Sequence, residues 1–224
     1  MFRTIGLAAL AASLLAQPAL AQDQRVEIGV TVGWAFSDGV DTQSAILGPD
    51  GNFYSRIDPK DSFKWGLSGA GYVTENVELG FMFSQQKSVL QIDGTQKVDV
   101  GDINVSNYHG YFGYNFMEAD ATVRPYAFFG LGATNFGEVE YTRLIGGAPG
   151  TTQSATQFST TWGLGVKVYP SPSVGVRLGI QWTPTYIRSD AGGYWCDPYW
   201  GCYMTGDPKY ASSWDLGGGI TFRF

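Results

Sequence analysis

Few residues of this chain combine a reactive side chain with a spacing that could support chemistry. The single histidine, His109, could act as a general base, but the position two residues later is Tyr111. No nearby Ser, Asp or Glu completes the nucleophile–base–acid set that covalent catalysis requires. We therefore expect His109 to be a packed structural residue and the protein not to be an enzyme.

The two cysteines, Cys196 and Cys202, form a second candidate site. In an exported chain the oxidising compartment makes a disulfide the expected state of such a pair. A metal site or a free redox pair is the alternative, although no other cysteine and only one histidine could complete a metal site. The sequence therefore predicts a disulfide and no bound metal or cofactor.

Aromatic residues surround these cysteines. One interpretation is a stapled contact surface that binds a sugar, a lipid or a protein, since rigid aromatic side chains make good contact anchors. The other is a loop that packs on itself and covers the disulfide. The residues of this proposed contact surface are Tyr194, Trp195, Tyr199, Trp200 and Tyr203.

Acidic residues and paired glycines give weaker signals. Asp38, Asp41, Asp50, Asp58 and Asp61 could hold Ca²⁺, but their spacing matches no calcium motif, and a solvated acidic loop is the simpler expectation. The three GxG pairs open no predicted helix, so they do not predict a dinucleotide site. They predict instead small residues on one face of a strand.

Residues 1–21 resemble an export signal. Arg3 is followed by an apolar stretch from Ile5 to Ala16 and by the small-x-small sequence Ala19-Leu20-Ala21. The apolar stretch is shorter than the about 20 residues that a transmembrane helix needs. We expect cleavage after residue 21 and one domain over residues 22–224.

The composition is unusual for a soluble domain. Only 15% of residues are charged, whereas 31 glycines accompany 7 Trp, 13 Tyr and 14 Phe. The mean hydropathy of −0.08 suits strands that turn one face to lipid and the other to a polar lumen. A net charge of −6 argues against nucleic acid as a partner.

Apolar and polar residues alternate with a period of two, which places them on opposite faces of a strand. In the last segment Trp214, Leu216 and Ile220 share one face, and Asp215 and Thr221 lie on the other. Residues 107–116 and 124–134 are aromatic on both faces, so the pattern leaves their register open. The eight predicted strands cover residues 25–36, 62–73, 77–86, 107–116, 124–134, 159–169, 174–183 and 213–224.

The connections between these segments alternate between short and long. Short links fall at residues 74–76, 117–122 and 170–173, and long polar loops fall near residues 37–61, 90–102, 138–157 and 188–212. Short periplasmic turns opposite long outer loops are typical of an outer-membrane barrel. The sequence thus predicts an all-β, eight-stranded antiparallel transmembrane up-and-down β-barrel. A soluble barrel with its faces reversed would expose a glycine-rich face to water, where glycine is a poor strand residue.

The polar faces carry a nearly balanced set of charges, as groups enclosed in a narrow lumen must. We expect these side chains to form a cluster inside the barrel. Its predicted members are Glu27, Lys64, Glu78, Lys167, Arg177, Asp215 and Arg223.

The chain resembles the small outer-membrane β-barrel family of OmpA-, OmpX- and opacity-like proteins. The resemblance is carried by SGAGYVTENVELG, VRPYAFFGLGA and the terminal DLGGGITFRF. It implies a cell outer-membrane location and insertion by the barrel-assembly machinery, with Gly219, Phe222 and Phe224 at the places of the assembly signal. It implies no single activity, because function belongs to sites rather than folds.

From these patterns we expect a non-enzymatic barrel with a structural or surface-interaction role, whose long outer loops form the contact surface. Its expected partners are outer-membrane lipids, lipopolysaccharide, the assembly machinery and an extracellular ligand. The alternative is a narrow channel or lateral gate for small hydrophobic molecules, since an eight-stranded barrel is just filled by its own side chains. A third hypothesis, a lipid A-modifying enzyme, would require His109.

Overall fold

The computed structural model describes residues 25–47, 51–142, 149–187, 196–197, 201–202 and 209–224. Within these ranges all regular structure is β-strand, and no helix is long and apolar enough to cross a membrane. The strands are β1 (Val26–Asp38), β2 (Val40–Leu47), β3 (Phe53–Pro59), β4 (Ser62–Tyr72), β5 (Val77–Asp93), β6 (Lys97–Asn115), β7 (Val123–Phe136), β8 (Glu140–Thr142), β9 (Pro149–Thr151), β10 (Ala155–Val168), β11 (Val174–Ile187), β12 (Cys196–Asp197), β13 (Gly201–Cys202) and β14 (Lys209–Arg223).

Eight of these strands close into a barrel. Each pairs antiparallel with two neighbours, in the order β1, β4, β5, β6, β7, β10, β11 and β14, and β14 returns to β1. The predicted eight-stranded antiparallel barrel is therefore confirmed. Short connections at residues 73–76, 116–122 and 169–173 define one end, here called the turn end, and the opposite end is the loop end.

The strands of a closed barrel must be staggered, which tilts them against the barrel axis. A path from partner to partner begins at Val26 and returns to β1 at Phe36, ten residues further along. The partners along this path are Gly71, Leu79, Phe112, Phe129, Trp162, Trp182 and Trp214. Residues on the path face outward together, so the stagger fixes which side chains share the outer surface.

Side chains alternate between the outer surface and the interior along every barrel strand. Leu178 and Leu216 are exposed, whereas Lys167 and Thr221 are fully buried. The two strands whose register the sequence left open follow the same rule: Tyr108 and Phe112 face outward, and the His109 side chain is buried. The outer surface is therefore the apolar face that the alternation predicts for contact with lipid.

The glycines of the inner wall make room for large side chains. A Cβ added to Gly163 would lie 2.2 Å from the ring of Phe128. Cβ atoms on Gly165 and Gly179 would lie 2.8 and 2.7 Å from the Tyr126 hydroxyl. Because an eight-stranded barrel has little inner space, its tyrosines and phenylalanines fit only where the facing strand has no side chain.

Two of the predicted long loops are largely strand, so the prediction of irregular loops was wrong there. The segment near residues 37–61 contains the β2–β3 hairpin, which adds to the edge of β5 through pairs such as Ile57 with Ile92. The segment near residues 90–102 continues β5 and β6 into a long hairpin that turns at residues 94–96. We call β2, β3, and residues 86–93 of β5 and 97–105 of β6 the extension.

Beyond the apolar outer band the polarity of the two faces reverses. On β6 the outward Asn104 and Asp102 are exposed, whereas the inward Val105 and Ile103 are buried. The inward residues of the loop end form one packed cluster, here called the apolar cap. Its buried members are Val40, Tyr54, Ile57, Leu90, Ile92, Ile103, Val105, Phe136, Val139, Ala155 and Ile187.

Ion pairs join the strands of the extension on its solvent side. Arg56 of β3 pairs with Asp38 and with Asp41, the latter at 3.2 Å. Lys60 reaches the carboxylate of Asp99 on β6 at 2.9 Å. These pairs are exposed and contribute little individually, so the apolar cap is the main stabilising contact of the extension.

Asp58 is the exception among these acids, because one of its oxygens is buried without a hydrogen-bond partner. Burial raises the pKa of its carboxyl to about 6, with a further increase from Asp38 and Asp61, whereas Arg56 and Lys97 act in the opposite direction. A carboxyl whose pKa is higher in the folded state stabilises that state increasingly as the pH falls through this value.

We predict that the extension becomes more stable between pH 7 and pH 5. Asp58→Asn should remove this dependence, because an amide does not titrate. Hydrogen exchange of the β3 amides at several pH values measures the effect, with Asp99→Asn as the control that keeps it. Equal pH dependence in wild type and Asp58→Asn would show that another group is responsible.

Candidate functional site

The predicted lumenal charges do not form one cluster; the structure divides them into separate groups. At the turn end Lys167 of β10 lies between two carboxylates, 2.9 Å from Glu27 of β1 and 2.7 Å from Glu78 of β5. Arg223 of β14 approaches Glu27 at 3.7 Å. We call these four residues the ionic cluster, and all four are buried.

Hydroxyl and amide groups complete the ionic cluster. Tyr169 and Tyr72 donate hydrogen bonds to Glu27 at 2.6 and 2.8 Å. Asn115 donates to Glu78 at 3.2 Å. Buried charges are tolerated when they are both paired and hydrogen-bonded, and this arrangement meets both conditions for the two carboxylates.

Arg124 is a buried charge of the interior that was not among the predicted lumenal charges. Its guanidinium donates to the backbone carbonyls of Glu75, at 2.6 Å, and Met117, at 3.2 Å, and so ties two turns together. The residue was overlooked because aromatic residues on both faces of β7 hide the alternation. The inward positions two and four residues later, Tyr126 and Phe128, could have indicated it.

The second group lies further along the lumen and consists of Lys64 and Asp215. The Lys64 ammonium is 2.5 Å from the Asp215 carboxylate, and Ser213 donates to the other oxygen of that carboxylate. Arg177 belongs to neither group. Its guanidinium contacts the Tyr126 hydroxyl at 3.2 Å and lies 5.1 Å from the centre of the Tyr126 ring.

A chain of hydrogen bonds between neutral side chains crosses the lumen near His109. The Nε2 of His109 lies 2.9 Å from the hydroxyl of Ser159, a residue 50 positions away on β10. Thr134 donates to Ser159 at 3.0 Å and receives a hydrogen bond from Thr185 at 3.0 Å. This histidine–serine pair was not predicted from the sequence, because only the barrel register brings the two strand faces together.

This pair lacks the other parts of a catalytic site. The Nδ1 of His109 has no hydrogen-bond partner, so no acid orients the ring as nucleophilic catalysis requires. His109 and Ser159 are 0% and 1% exposed, which closes them to a substrate. Among the described residues no group of three His, Cys, Asp or Glu could hold a metal ion.

The free space inside the barrel is small. A cavity of about 90 Å³ is lined by Lys64, Arg177 and Asp215, and a second of about 30 Å³ lies beneath the apolar cap beside Gln86 and Thr134. Since one water needs roughly 10–15 Å³ of such volume, these cavities hold a few waters each. Within the described part of the chain, the buried ionic cluster fills the lumen at the turn end.

The barrel wall has one discontinuity among the described strands. Pairing of β10 with β11 passes from Ser159–Thr185 directly to Trp162–Trp182 and omits the two positions between them. Pro184 of β11 lies in this gap and has no backbone N–H to donate. Beyond Ser159, β10 pairs with β7 alone. We call this gap the β10–β11 seam.

The predicted contact surface is only partly within the described residues. β12 and β13 place Cys196 directly opposite Cys202 in an antiparallel pair, a backbone arrangement that suits a disulfide, which stays a prediction. Tyr194, Trp195, Tyr199, Trp200 and Tyr203 lie outside the described residues. On β14, Phe222 and Phe224 face outward and are exposed, and Gly219 is paired with Thr31 and Arg177.

We predict that Lys167→Met destabilises the barrel by about 3–5 kcal/mol, because it leaves the buried Glu78 without a cation and Glu27 with only the more distant Arg223. The free energy of unfolding in lipid vesicles, from urea titration of tryptophan fluorescence, measures the change. Lys60→Met is the matched control, and loss of its exposed pair should cost at most about 1 kcal/mol. Equal effects of the two substitutions would contradict the role given to the ionic cluster.

Comparison with solved structures supports the same fold. OprG from Pseudomonas aeruginosa superposes with a TM-score of 0.63 at 14% identity, covering 89% of this chain and 95% of that one. Neisserial surface protein A gives 0.55 at 16% identity, covering 89% and 97%. AlkL, solved in lipid bilayers, gives 0.55 at 12% identity, covering 93% and 95%. At these identities the likeness shows the fold alone.

The sequence itself also matches a known family. None of the curated proteins matches the chain. The profile described as "Outer membrane protein beta-barrel domain" matches residues 7–223, which include all eight barrel strands. The closed barrel, its apolar exterior and its charged interior agree with that match, and the chain therefore belongs to the outer membrane protein β-barrel domain family.

Proposed function

We propose that this protein is a non-enzymatic outer-membrane barrel that acts through contacts made at the cell surface by its loop end. The observation that carries the proposal is the combination of a filled lumen with a folded loop end. The extension and the apolar cap form packed structure beyond the membrane, whereas the interior offers no passage.

The filled lumen argues against a diffusion pore. A solute that crosses the barrel would have to separate the buried contacts of Lys167 with Glu27 and Glu78. It would also have to pass the apolar cap, where Tyr54 and Ile57 close the loop end. Opening such contacts exposes unpaired charges in a narrow space, which is strongly unfavourable.

The loop end has the rigidity and the charge of a contact surface. Its apolar cap holds β2, β3 and the outer parts of β5 and β6 in one packed unit. Acids outnumber bases on its solvent side, so a basic partner, or lipopolysaccharide bridged by divalent cations, suits it best. The described acids are Asp38, Asp41, Asp58, Asp61, Asp93, Asp99, Asp102, Glu138 and Glu140, against Arg56, Lys60, Lys87 and Lys97.

The proposal includes the steps that bring the protein to the surface. Residues 1–21 act as a cleaved signal peptide, and the barrel-assembly machinery engages the terminal strand through Gly219, Phe222 and Phe224. The Cys196–Cys202 disulfide then closes the aromatic loop. The exposed apolar side chains of the barrel wall support contact with membrane lipids.

We predict that deletion of residues 194–203 leaves the barrel folded but abolishes surface binding. Nanodiscs that contain the wild-type barrel are tested on arrays of immobilised glycans and basic proteins, at low and high salt. Binding to basic partners should weaken with salt, because exposed charges are screened. Deletion of residues 143–148, in another outer connection, is the control. Binding that survives the first deletion, or is absent in the wild type, counts against the proposal.

A second candidate function is the lateral passage of small hydrophobic molecules, which the β10–β11 seam favours. The seam lies beside Trp162, Trp182 and Trp214, outward aromatics at the loop-end edge of the apolar band. A small apolar molecule that loosens the apolar cap would reach this seam without crossing the ionic cluster. It would leave sideways into the outer leaflet.

We predict that Pro184→Val reduces such passage, because valine restores the N–H that can close the β10–β11 ladder. Pro125→Val is the matched control, since Pro125 lies in the continuous β7–β10 ladder, opposite Val166. Uptake of a small hydrophobic fluorescent dye by cells producing each variant measures passage. If both variants take up dye as fast as wild type, the seam is not a route.

A further inference from the structure

Arg177 is a charged side chain inside the barrel that has no charged partner. Its two hydrogen bonds go to neutral hydroxyls, Tyr126 at 3.2 Å and Ser68 at 3.5 Å. Among the described residues no carboxylate pairs with it, and its five N–H groups exceed these two acceptors. The guanidinium therefore retains donors that the protein does not satisfy.

The strands around Arg177 supply positive rather than negative charge. Its paired residue on β10 is Lys167, a like charge, and its paired residue on β14 is Gly219. Glu27 and Glu78 are occupied by Lys167, and Asp215 is occupied by Lys64. The neighbouring acids are thus already paired with other cations.

The charge balance of the whole interior agrees with this local picture. Among the described residues, the inner wall carries three acids, Glu27, Glu78 and Asp215. The bases of the inner wall are Lys64, Arg124, Lys167, Arg177 and Arg223. Arg124 and Arg223 are buried at the turn end and donate to backbone carbonyls there. Among these bases, Arg177 is the one that has no carboxylate partner and also borders a cavity.

Arg177 borders a cavity of suitable size. The cavity of about 90 Å³ is lined by Arg177, Lys64 and Asp215, by the polar residues Ser68, Thr31 and Gln181, and by apolar residues such as Met82 and Phe128. It holds more than one water, and hydroxyl and amide groups line the part of it next to Arg177. A chloride ion is only slightly larger than a water molecule and would find several donors there.

We propose that this cavity is a binding site for a single monovalent inorganic anion of the halide class, with Arg177 as its main ligand. The anion neutralises a cation of the barrel interior that has no carboxylate partner among the described residues. A buried charge is stable only with a counter-ion, and here a mobile anion replaces a protein carboxylate. Lys64 contributes a second positive charge at the rim without leaving Asp215.

Bromide provides a direct test because it scatters anomalously and substitutes for chloride. Crystals of the full barrel, grown with bromide as the halide, should show an anomalous peak within hydrogen-bonding distance of the Arg177 guanidinium. The same crystals of Arg177→Met should lack that peak. Ordered Arg177 beside water, with no anomalous peak, overturns the proposal.

A stability measurement gives an independent readout. At equal ionic strength, wild-type barrels in lipid vesicles should unfold at a higher urea concentration in sodium bromide than in sodium gluconate, whose anion is too large for the cavity. Arg177→Met should lose this difference, because a ligand stabilises only the state that binds it. Arg56→Met, which removes an exposed arginine paired with Asp38, should keep the difference. A difference that survives in Arg177→Met places the halide effect elsewhere and refutes the site.

Discussion

The structure depends on one requirement: every backbone N–H and C=O group that faces lipid must be hydrogen-bonded within the protein. Closure of the sheet meets it, because the ladder between β1 and β14 leaves no barrel strand with a free edge inside the membrane. The ladder runs from Glu27–Arg223 to Asp38–Ser212 and joins the first barrel strand to the last. Most other features follow from the narrow interior that closure of eight strands creates.

The narrow interior explains both the glycines and the ion pairs. Inward side chains from eight strands share a space that they fill, so a long side chain needs a glycine opposite it, as Tyr126 has in Gly165 and Gly179. Charges in this space must find partners on other strands. Lys167 meets Glu27 across 140 positions of sequence, so the contact exists only in the closed barrel. The contacts of the ionic cluster therefore form only when the barrel is closed, and they stabilise the closed barrel.

The sequence predicted the part of the fold in which apolar and polar residues alternate along each strand. Alternation identified eight strands and their lipid faces, because lipid outside and a polar lumen inside impose one rule along each strand. The alternation did not predict the strands in which the polarity of the two faces reverses. Residues 90–102 are strand, but the apolar Leu90 and Ile103 turn inward, where polar residues are expected. The alternation also could not show that Arg177 lies apart from the carboxylates, or that His109 meets Ser159, since both follow from register.

The reversal of polarity divides one set of strands into two functional parts. Strand parity does not change on β6 between His109 and Ile103, before the register shift at Leu90 and Gln91. Over this stretch only the surroundings change, from lipid to water outside and from polar lumen to apolar cap inside. The loop end is therefore an extension of the barrel wall, and a contact made there acts on strands anchored in the membrane. β10 and β11 are least firmly joined where the two parts meet, at Pro184. The seam therefore lies beside the apolar cap, so the surface contact and the lateral passage proposed above would involve neighbouring parts of the same strands.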